Sequence, residues 1–249
     1  METLQRNLEE ATATEILSWA VETYGDAFAV STSFQSEGMV IVDMVARLAK
    51  RPRVLTLDTG RLPPETYQMI ETVRDRYGVT VEVMCPDTAE LESMVTLHGP
   101  NLFYRDTALR TLCCNIRKVR PLERKLKELK AWAVGLRRSQ NESRADVRKV
   151  DLDATPVKIS PLADWTAEQV DEYIRRNDVP RHPLYARGYT SIGCDPCTRA
   201  VEVGAPERAG RWWWERDADK ECGIHFTPDG RAQRTVDVLL EQVLGSTRA

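Results

Sequence analysis

Three groups of residues have types and spacings that could do chemistry. The first, Cys222-Gly223-Ile224-His225, sets a thiol beside a glycine, with an imidazole three residues on and Trp212 to Trp214 just upstream. A thiolate attacks electrophiles and nearby positive charge favours it, so Cys222 is a candidate nucleophile; the plainer alternative is a small buried thiol. The second group is two tight cysteine pairs, Cys113-Cys114 and Cys194-Asp195-Pro196-Cys197, separated by 79 residues. Four thiols in two groups can close one site for zinc or for an iron–sulfur cluster. Adjacent cysteines converge poorly on a single ion, whereas in a cubane each thiolate takes its own iron, so the spacing favours a [4Fe-4S] cluster over zinc. Cys85, in Met84-Cys85-Pro86 at a strand end, is left over and reads as a buried structural thiol.

The third group is three polar loops, Ser31-Thr32-Ser33-Phe34-Gln35-Ser36-Glu37-Gly38, Asp58-Thr59-Gly60-Arg61 and Gly135-Leu136-Arg137-Arg138-Ser139-Gln140. Each follows a short apolar run the size of a buried strand: Ala27 to Val30, Arg53 to Leu57, and Ala131 to Gly135. Helices are predicted over residues 1–24, from about Met39 to Leu48, and from about Glu65 to Tyr77 with Pro63-Pro64 in its first turn. Thr80 to Met84 reads as a further strand. Strands alternating with helices predict an α/β fold with a doubly wound, mostly parallel sheet, whose ligands bind at the C-terminal strand ends. A strand, a small polar loop and a helix aim backbone N–H groups at phosphate; the first loop lacks the Gly-Lys-Ser/Thr of a Walker A sequence. After about Asp151 the alternation fades. Val157 to Ile159 reads as a last strand, Thr166 to Arg176 as a helix carrying Val170, Tyr173 and Ile174 on its apolar side, and Leu239 to Leu244 as a short final helix. Residues 180–230 are irregular and need a metal site or docking on the sheet to hold them. The organisation expected is residues 1–205 as a nucleotide-binding domain that includes the four-cysteine site, and 206–249 as a C-terminal catalytic segment.

Composition bounds the rest. The chain has 249 residues, 42% hydrophobic and 29% charged, without an apolar run of membrane-spanning length. Its N-terminus does not read as a signal peptide, so a cytoplasmic protein is expected, and six cysteines there are more often ligands or catalytic thiols than disulfides. The net charge is −3, yet Arg117 to Lys149 holds 12 Lys/Arg against 4 Asp/Glu. One basic segment in an acidic chain suggests a local anion site rather than a nucleic-acid surface. A zinc-stabilised nucleic-acid-binding module is the reading from another class.

Taken together these stretches resemble the assimilatory adenosine 5′-phosphosulfate (APS) reductases, of the APS/PAPS reductase family, PAPS being the 3′-phosphorylated nucleotide. The resemblance rests on Ser31–Gly38, Leu57 to Arg61, Cys113-Cys114 with Arg117-Lys118, Gly135 to Arg138, Cys194 with Cys197, Arg208-Ala209-Gly210-Arg211-Trp212-Trp213-Trp214-Glu215, and Glu221-Cys222-Gly223-Ile224-His225. Gln35 and Ser36 stand where family members often carry small residues. The resemblance implies a modified pyrophosphatase-type (PP) loop in an adenine nucleotide alpha hydrolase-like fold. It implies reduction of APS to sulfite and AMP with thioredoxin or glutaredoxin, through an S-sulfocysteine on Cys222. It also implies a [4Fe-4S] cluster on Cys113, Cys114, Cys194 and Cys197, with an organising rather than electron-carrying role. Lys118, Arg208, Arg211 and His225 would attend the phosphosulfate. Ser31, Ser33, Phe34, Gln35, Ser36, Glu37, Leu57, Gly135, Arg137 and Arg138 would line the nucleotide. No nucleic acid or membrane partner is implied, and a homo-oligomer is compatible with it. The rivals are a PAPS or dual-specificity reductase and an ATP pyrophosphatase-type sulfur-transfer enzyme. Arg61 with Glu65 reads equally as a surface ion pair, and His98 and His182 as structural.

Overall fold

The computed structural model describes residues 2–215 and 230–247. The helical stretch expected over residues 1–24 is two helices, α1 (Glu2–Glu10) and α2 (Ala13–Tyr24). The break has a local cause: Thr12 Oγ1 accepts the Glu15 N–H while the Glu15 carboxylate accepts the Thr12 N–H, a capping box that starts a new helix. Then come β1 (Phe28–Ser31), α3 (Ser36–Leu48), β2 (Val54–Leu57), α4 (Pro64–Tyr77) and β3 (Val81–Met84). The chain continues through α5 (Thr88–His98) and α6 (Thr107–Cys114), then a π-helical turn, Asn115–Val119, that runs directly into α7 (Arg120–Leu126). β4 (Ala131–Ala133), β5 (Val150–Asp151), β6 (Val157–Ile159), α8 (Ala167–Asn177) and α9 (Gly230–Ser246) complete it. β5 is two residues long, too short for its alternation to be read from sequence. α9 is far longer than the six residues expected, because its apolar stripe is narrow: Val236, Leu239, Leu240 and Val243 follow the i, i+3, i+4, i+7 spacing of one helix face.

Among the described residues six strands form one sheet in the order β3-β2-β1-β4-β6-β5, parallel except for the antiparallel pair of β5 with β6. The doubly wound reading holds, and side-chain alternation along each strand shows why. Phe28, Val30, Val54, Ala131 and Ala133 enter a core with α2, α3, α4 and α8. Their neighbours Ala29, Leu55, Trp132 and Val134 enter the opposite core with Leu122 of α7 and Leu129. Both sheet faces are covered, as parallel strands require. From β1 the chain steps outward through β2 to β3, then crosses back to place β4 on β1's other side. β1 and β4 therefore flank the topological switch point, where a crevice opens at the C-terminal strand ends.

A separate apolar cluster joins α5, α6 and α9 with Trp212 and the four paired cysteines. Among the described residues no helix is long and apolar enough to cross a membrane.

Candidate active site

The cleft at the switch point has a cavity volume of about 220 Å³. Its floor is the loop after β1 (Ser31, Thr32, Ser33) and the first turn of α3. That helix starts at Ser36, three residues earlier than expected, so Glu37 and Gly38 belong to its N-terminal turn. Gln35 is the N-cap and makes no side-chain cap bond among the described residues, which leaves first-turn N–H groups and the positive helix end for an anion. Leu57, Leu122, Trp132, Val134 and Leu136 supply an apolar wall suited to a planar base. Lys118, Arg144, Arg208 and Arg211 supply positive charge, and Glu37, Glu207 and Gln140 add carboxylate and amide groups.

Gly135 lets β4's loop reach the α3 turn: a Cβ there would lie 2.7 Å from Glu37 Cβ and 2.9 Å from the Gly38 nitrogen. Behind this contact Arg137 is buried. Its Nε donates to Glu37 Oε1 at 2.7 Å, its Nη2 to Glu207 Oε2 at 3.1 Å and its Nη1 to Ser139 Oγ at 2.8 Å. Gln140 Nε2 donates to the same Glu37 oxygen at 3.1 Å, and its Oε1 accepts from Arg144. The Glu207 carboxyl is pushed above the usual carboxylate range by burial and then by the neighbouring Glu37. Loop, α3 and the segment around Glu207 are thereby locked into one wall.

The placement of several predicted residues needs correction. Phe34 does not line the cleft; it is fully buried in the core below α3 with φ of 58°, and its N–H donates to Thr32 Oγ1. Arg138 points away, its guanidinium held by Glu9 of α1 and the Val147 carbonyl. Arg137 stands behind the cleft, spent on the two carboxylates. Ser36 donates its backbone N–H to the Tyr185 hydroxyl outside the cleft, and Gln35 braces it from within, accepting the Ile192 N–H at 2.7 Å. Cys85 is exposed rather than buried. Arg61 and Glu65 are not paired with each other: Arg61 donates to Asn101 Oδ1 and the Pro100 carbonyl, and Glu65 pairs with Arg187. His182 is buried in a structural position, its Nδ1 accepting the Leu184 N–H and its Nε2 facing Thr66 Oγ1. Arg144 and Glu207 line the cleft without having been singled out; Glu207 adjoins the motif residue Arg208 and Arg144 lies within the basic segment, but nothing in the type of either marked it. Cys222 and His225 lie outside the described residues.

A second, smaller cavity adjoins the cleft. Cys113, Cys114, Cys194 and Cys197 line it together, all buried. Helix α6 presents the first pair; the turn Asp195–Cys197 presents the second, tied down by the Asp195 N–H to the Arg61 carbonyl and the Trp212 N–H to the Cys197 carbonyl. Cys194 Sγ contacts Thr59 Oγ1 at 3.2 Å. Burial pushes the Cys113 thiol up, opposed by Arg117 and Lys118, and burial with the neighbouring Cys194 pushes Cys197 up to about 12, opposed by Lys118 and Arg211. Among the described residues no three His, Cys, Asp or Glu side chains have the geometry to hold a metal ion. Lys118 and Arg211 belong to the walls of both cavities. Lys118 gets there on the π-helical turn, a local widening of the helix that recurs at functional sites.

The phosphoadenosine phosphosulfate reductase domain matches residues 27–200, well over half the chain. This chain belongs to that reductase family. The family member named adenosine 5′-phosphosulfate reductase in Pseudomonas aeruginosa (strain LESB58) is 44% identical over 230 residues, covering 89% of this chain and 85% of its own. That of Allochromatium vinosum is 43% identical, covering 87% and 85%. A solved phosphoadenylyl-sulfate (PAPS) reductase from Candida auris, a phosphate complex, shares 29% identity and a TM-score of 0.66, covering 80% of this reductase-family chain and 95% of its own. A Candida glabrata FMN adenylyltransferase with FAD and inorganic pyrophosphate, at 12% identity and TM-score 0.52, shares the fold alone.

Proposed function

We propose that this chain reduces adenosine 5′-phosphosulfate to sulfite and AMP in sulfate assimilation, with a thioredoxin-type dithiol as reductant. The observation that carries the reading is the shared wall. A crevice at a nucleotide-binding switch point and a four-thiol cavity meet at Lys118 and Arg211, where a nucleotide's anionic end would lie. The relatives named for this reaction, at 43–44% identity over most of the chain, support the substrate.

In the proposed mechanism the apolar wall holds adenine and the α3 N-terminus takes the α-phosphate. Lys118, Arg208 and Arg211 hold the sulfate. Thiolate, sulfate and phosphate repel one another, so these cations are needed before they can meet. The Cys222 thiolate forms a bond to sulfur, the sulfur–oxygen bond to phosphate breaks, and AMP leaves with that electron pair. His225 is a further donor. A thioredoxin thiolate then attacks the Cys222 sulfur and sulfite departs; the second thioredoxin thiol releases Cys222 and closes the carrier's disulfide. Both electrons come from thiols.

The four cysteines fit an iron–sulfur cluster by their chemistry. They are four soft donors on one cavity, without single-ion geometry, and burial raises the thiols of Cys113 and Cys197, which metal ligation would overcome. When bound on Cys113, Cys114, Cys194 and Cys197, a [4Fe-4S] cluster would supply a fixed charged anchor for the turn that carries Lys118. A second reading, with the 3′-phosphorylated nucleotide as substrate, is favoured by the likeness to the Candida auris enzyme.

Intact-protein mass spectrometry after anaerobic incubation without thiol tests the reading. Adenosine 5′-phosphosulfate should add one sulfonate to the wild type and none to Cys222→Ser, with AMP released. An adduct only from the 3′-phosphorylated nucleotide selects the second reading. An adduct on Cys222→Ser refutes the nucleophile.

A further inference from the structure

The cysteine cavity is walled by an excess of positive charge. Arg61, Arg110, Arg117, Lys118 and Arg211 all line it. Among the described residues Arg61, Arg117 and Arg211 donate to neutral oxygens: Arg61 to Asn101 Oδ1 and the Pro100 carbonyl, Arg117 to the Thr59 carbonyl at 2.6 Å, Arg211 to Ser191 Oγ and the Ile192 carbonyl. Among the described residues no carboxylate pairs with them, so their charges face the thiols. Arg110 differs. It sits on α6 one turn before Cys113 and Cys114, 2% exposed, with its guanidinium 4.5 Å from the Trp212 ring centroid. Its Nε donates to Glu215 Oε1 at 2.7 Å, and the Glu215 side chain is itself 7% exposed. The other carboxylate oxygen, Oε2, is buried without a hydrogen-bond partner among the described residues. A buried ion pair is seldom kept for stability alone, since well-packed apolar residues serve as well, and leaving an oxygen unsatisfied adds to its cost.

We propose that the Glu215 carboxylate trims the charge of this cavity, cancelling Arg110 so that a bound iron–sulfur cluster keeps a low reduction potential. Net charge, hydrogen bonds to sulfur and solvent exposure set such potentials. Every uncancelled cation favours the reduced, more negative cluster, and does so strongly in a cavity shielded from water. The proposed reaction moves two electrons between thiols, so a cluster that accepted one electron would divert reductant from sulfite formation. The cations needed on the substrate side thus carry a redox cost on the cluster side, and Glu215 offsets part of it. This inference rests on the assignment of the four cysteines to a cluster.

The test uses the holoproteins of wild type, Glu215→Gln and the double variant Arg110→Gln/Glu215→Gln, with iron and acid-labile sulfide counted per chain and midpoint potentials read by protein-film voltammetry. Glu215→Gln should load iron and sulfide as the wild type does, with its potential shifted upward; the double variant, restoring the charge balance, should return close to the wild type. An unmoved potential in Glu215→Gln overturns the proposal. So does an equal upward shift in the double variant, which would trace to packing. If Glu215→Gln loads no cluster while the double variant does, charge balance is again the cause; if neither loads, the pair is a structural strut and the proposal falls. Wild-type protein without iron and sulfide would remove the cluster assignment itself, a distinct failure.

Discussion

Alanine at position 193 separates where Arg211 is from what it carries. A Cβ built on Gly193 would lie 2.4 Å from Arg211 Nη2 and 2.6 Å from its Cζ. The guanidinium must move. It is the end of a flexible side chain, so the fold should survive with a loss of about 1 kcal/mol, the lower end of overpacking costs. The guanidinium cannot move freely, however. It is buried, bonded to Ser191 Oγ and the Ile192 carbonyl, and 4.7 Å from the Trp212 ring centroid. In the proposed reaction Arg211 bonds the substrate's anionic end, so displacing it removes a charge-assisted hydrogen bond worth about 1.5–3 kcal/mol. At about 1.36 kcal/mol per tenfold, Gly193→Ala should lose roughly 10- to 150-fold in kcat/KM for sulfite formation, while Tm falls only a few degrees. Arg211→Ala should lose at least as much. Because both act through one group, Gly193→Ala/Arg211→Ala should be no worse than Arg211→Ala. Steady-state rates with adenosine 5′-phosphosulfate and a thioredoxin read all three. Wild-type kcat/KM in Gly193→Ala would refute the argument, as would losses that multiply in the double variant.

Arg137→Met should destabilise the fold by about 3 kcal/mol, the low end for a broken buried pair, because it strands the buried Glu37 carboxylate beside the partly exposed one of Glu207; urea unfolding reads the loss, and a change under 1 kcal/mol would show that the pair is not holding the α3 turn. His182 is held down to about 4 by burial. The unfolded chain takes a proton at its ordinary value of about 6.5 that the folded site refuses until about pH 4, so this contribution is full above pH 6.5 and is lost as pH falls toward 4. The loss is on the order of 3 kcal/mol, at 1.36 per unit. His182→Asn, which keeps an acceptor for the Leu184 N–H, should show a shallower fall of urea midpoint across that window; an identical slope in both proteins would count against it.

The strand–loop–helix order was legible because apolar runs of strand length alternate with helical periodicity, and a parallel sheet must bury both faces. Lys118 and the four cysteines were legible because their types carry their chemistry wherever they lie. Less could be read of the cleft's lining. Arg137 and Arg138 are chemically identical neighbours, yet backbone direction turns one toward Glu37 and the other toward Glu9, and no local pattern distinguishes them. Phe34 lies inside a polar loop, but the positive φ at that residue turns its ring into the core. Cys85 follows an apolar strand and looked buried; β3 is the sheet's edge, so its end meets solvent. Glu215 and Arg110, 105 residues apart, carry no spacing signal at all. What the amino-acid sequence determined by itself was the inventory of reactive groups and the strand order along the chain. Which groups share a wall was decided only by tertiary structure, because a side chain's charge partner and burial depend on residues brought near by topology rather than by sequence distance.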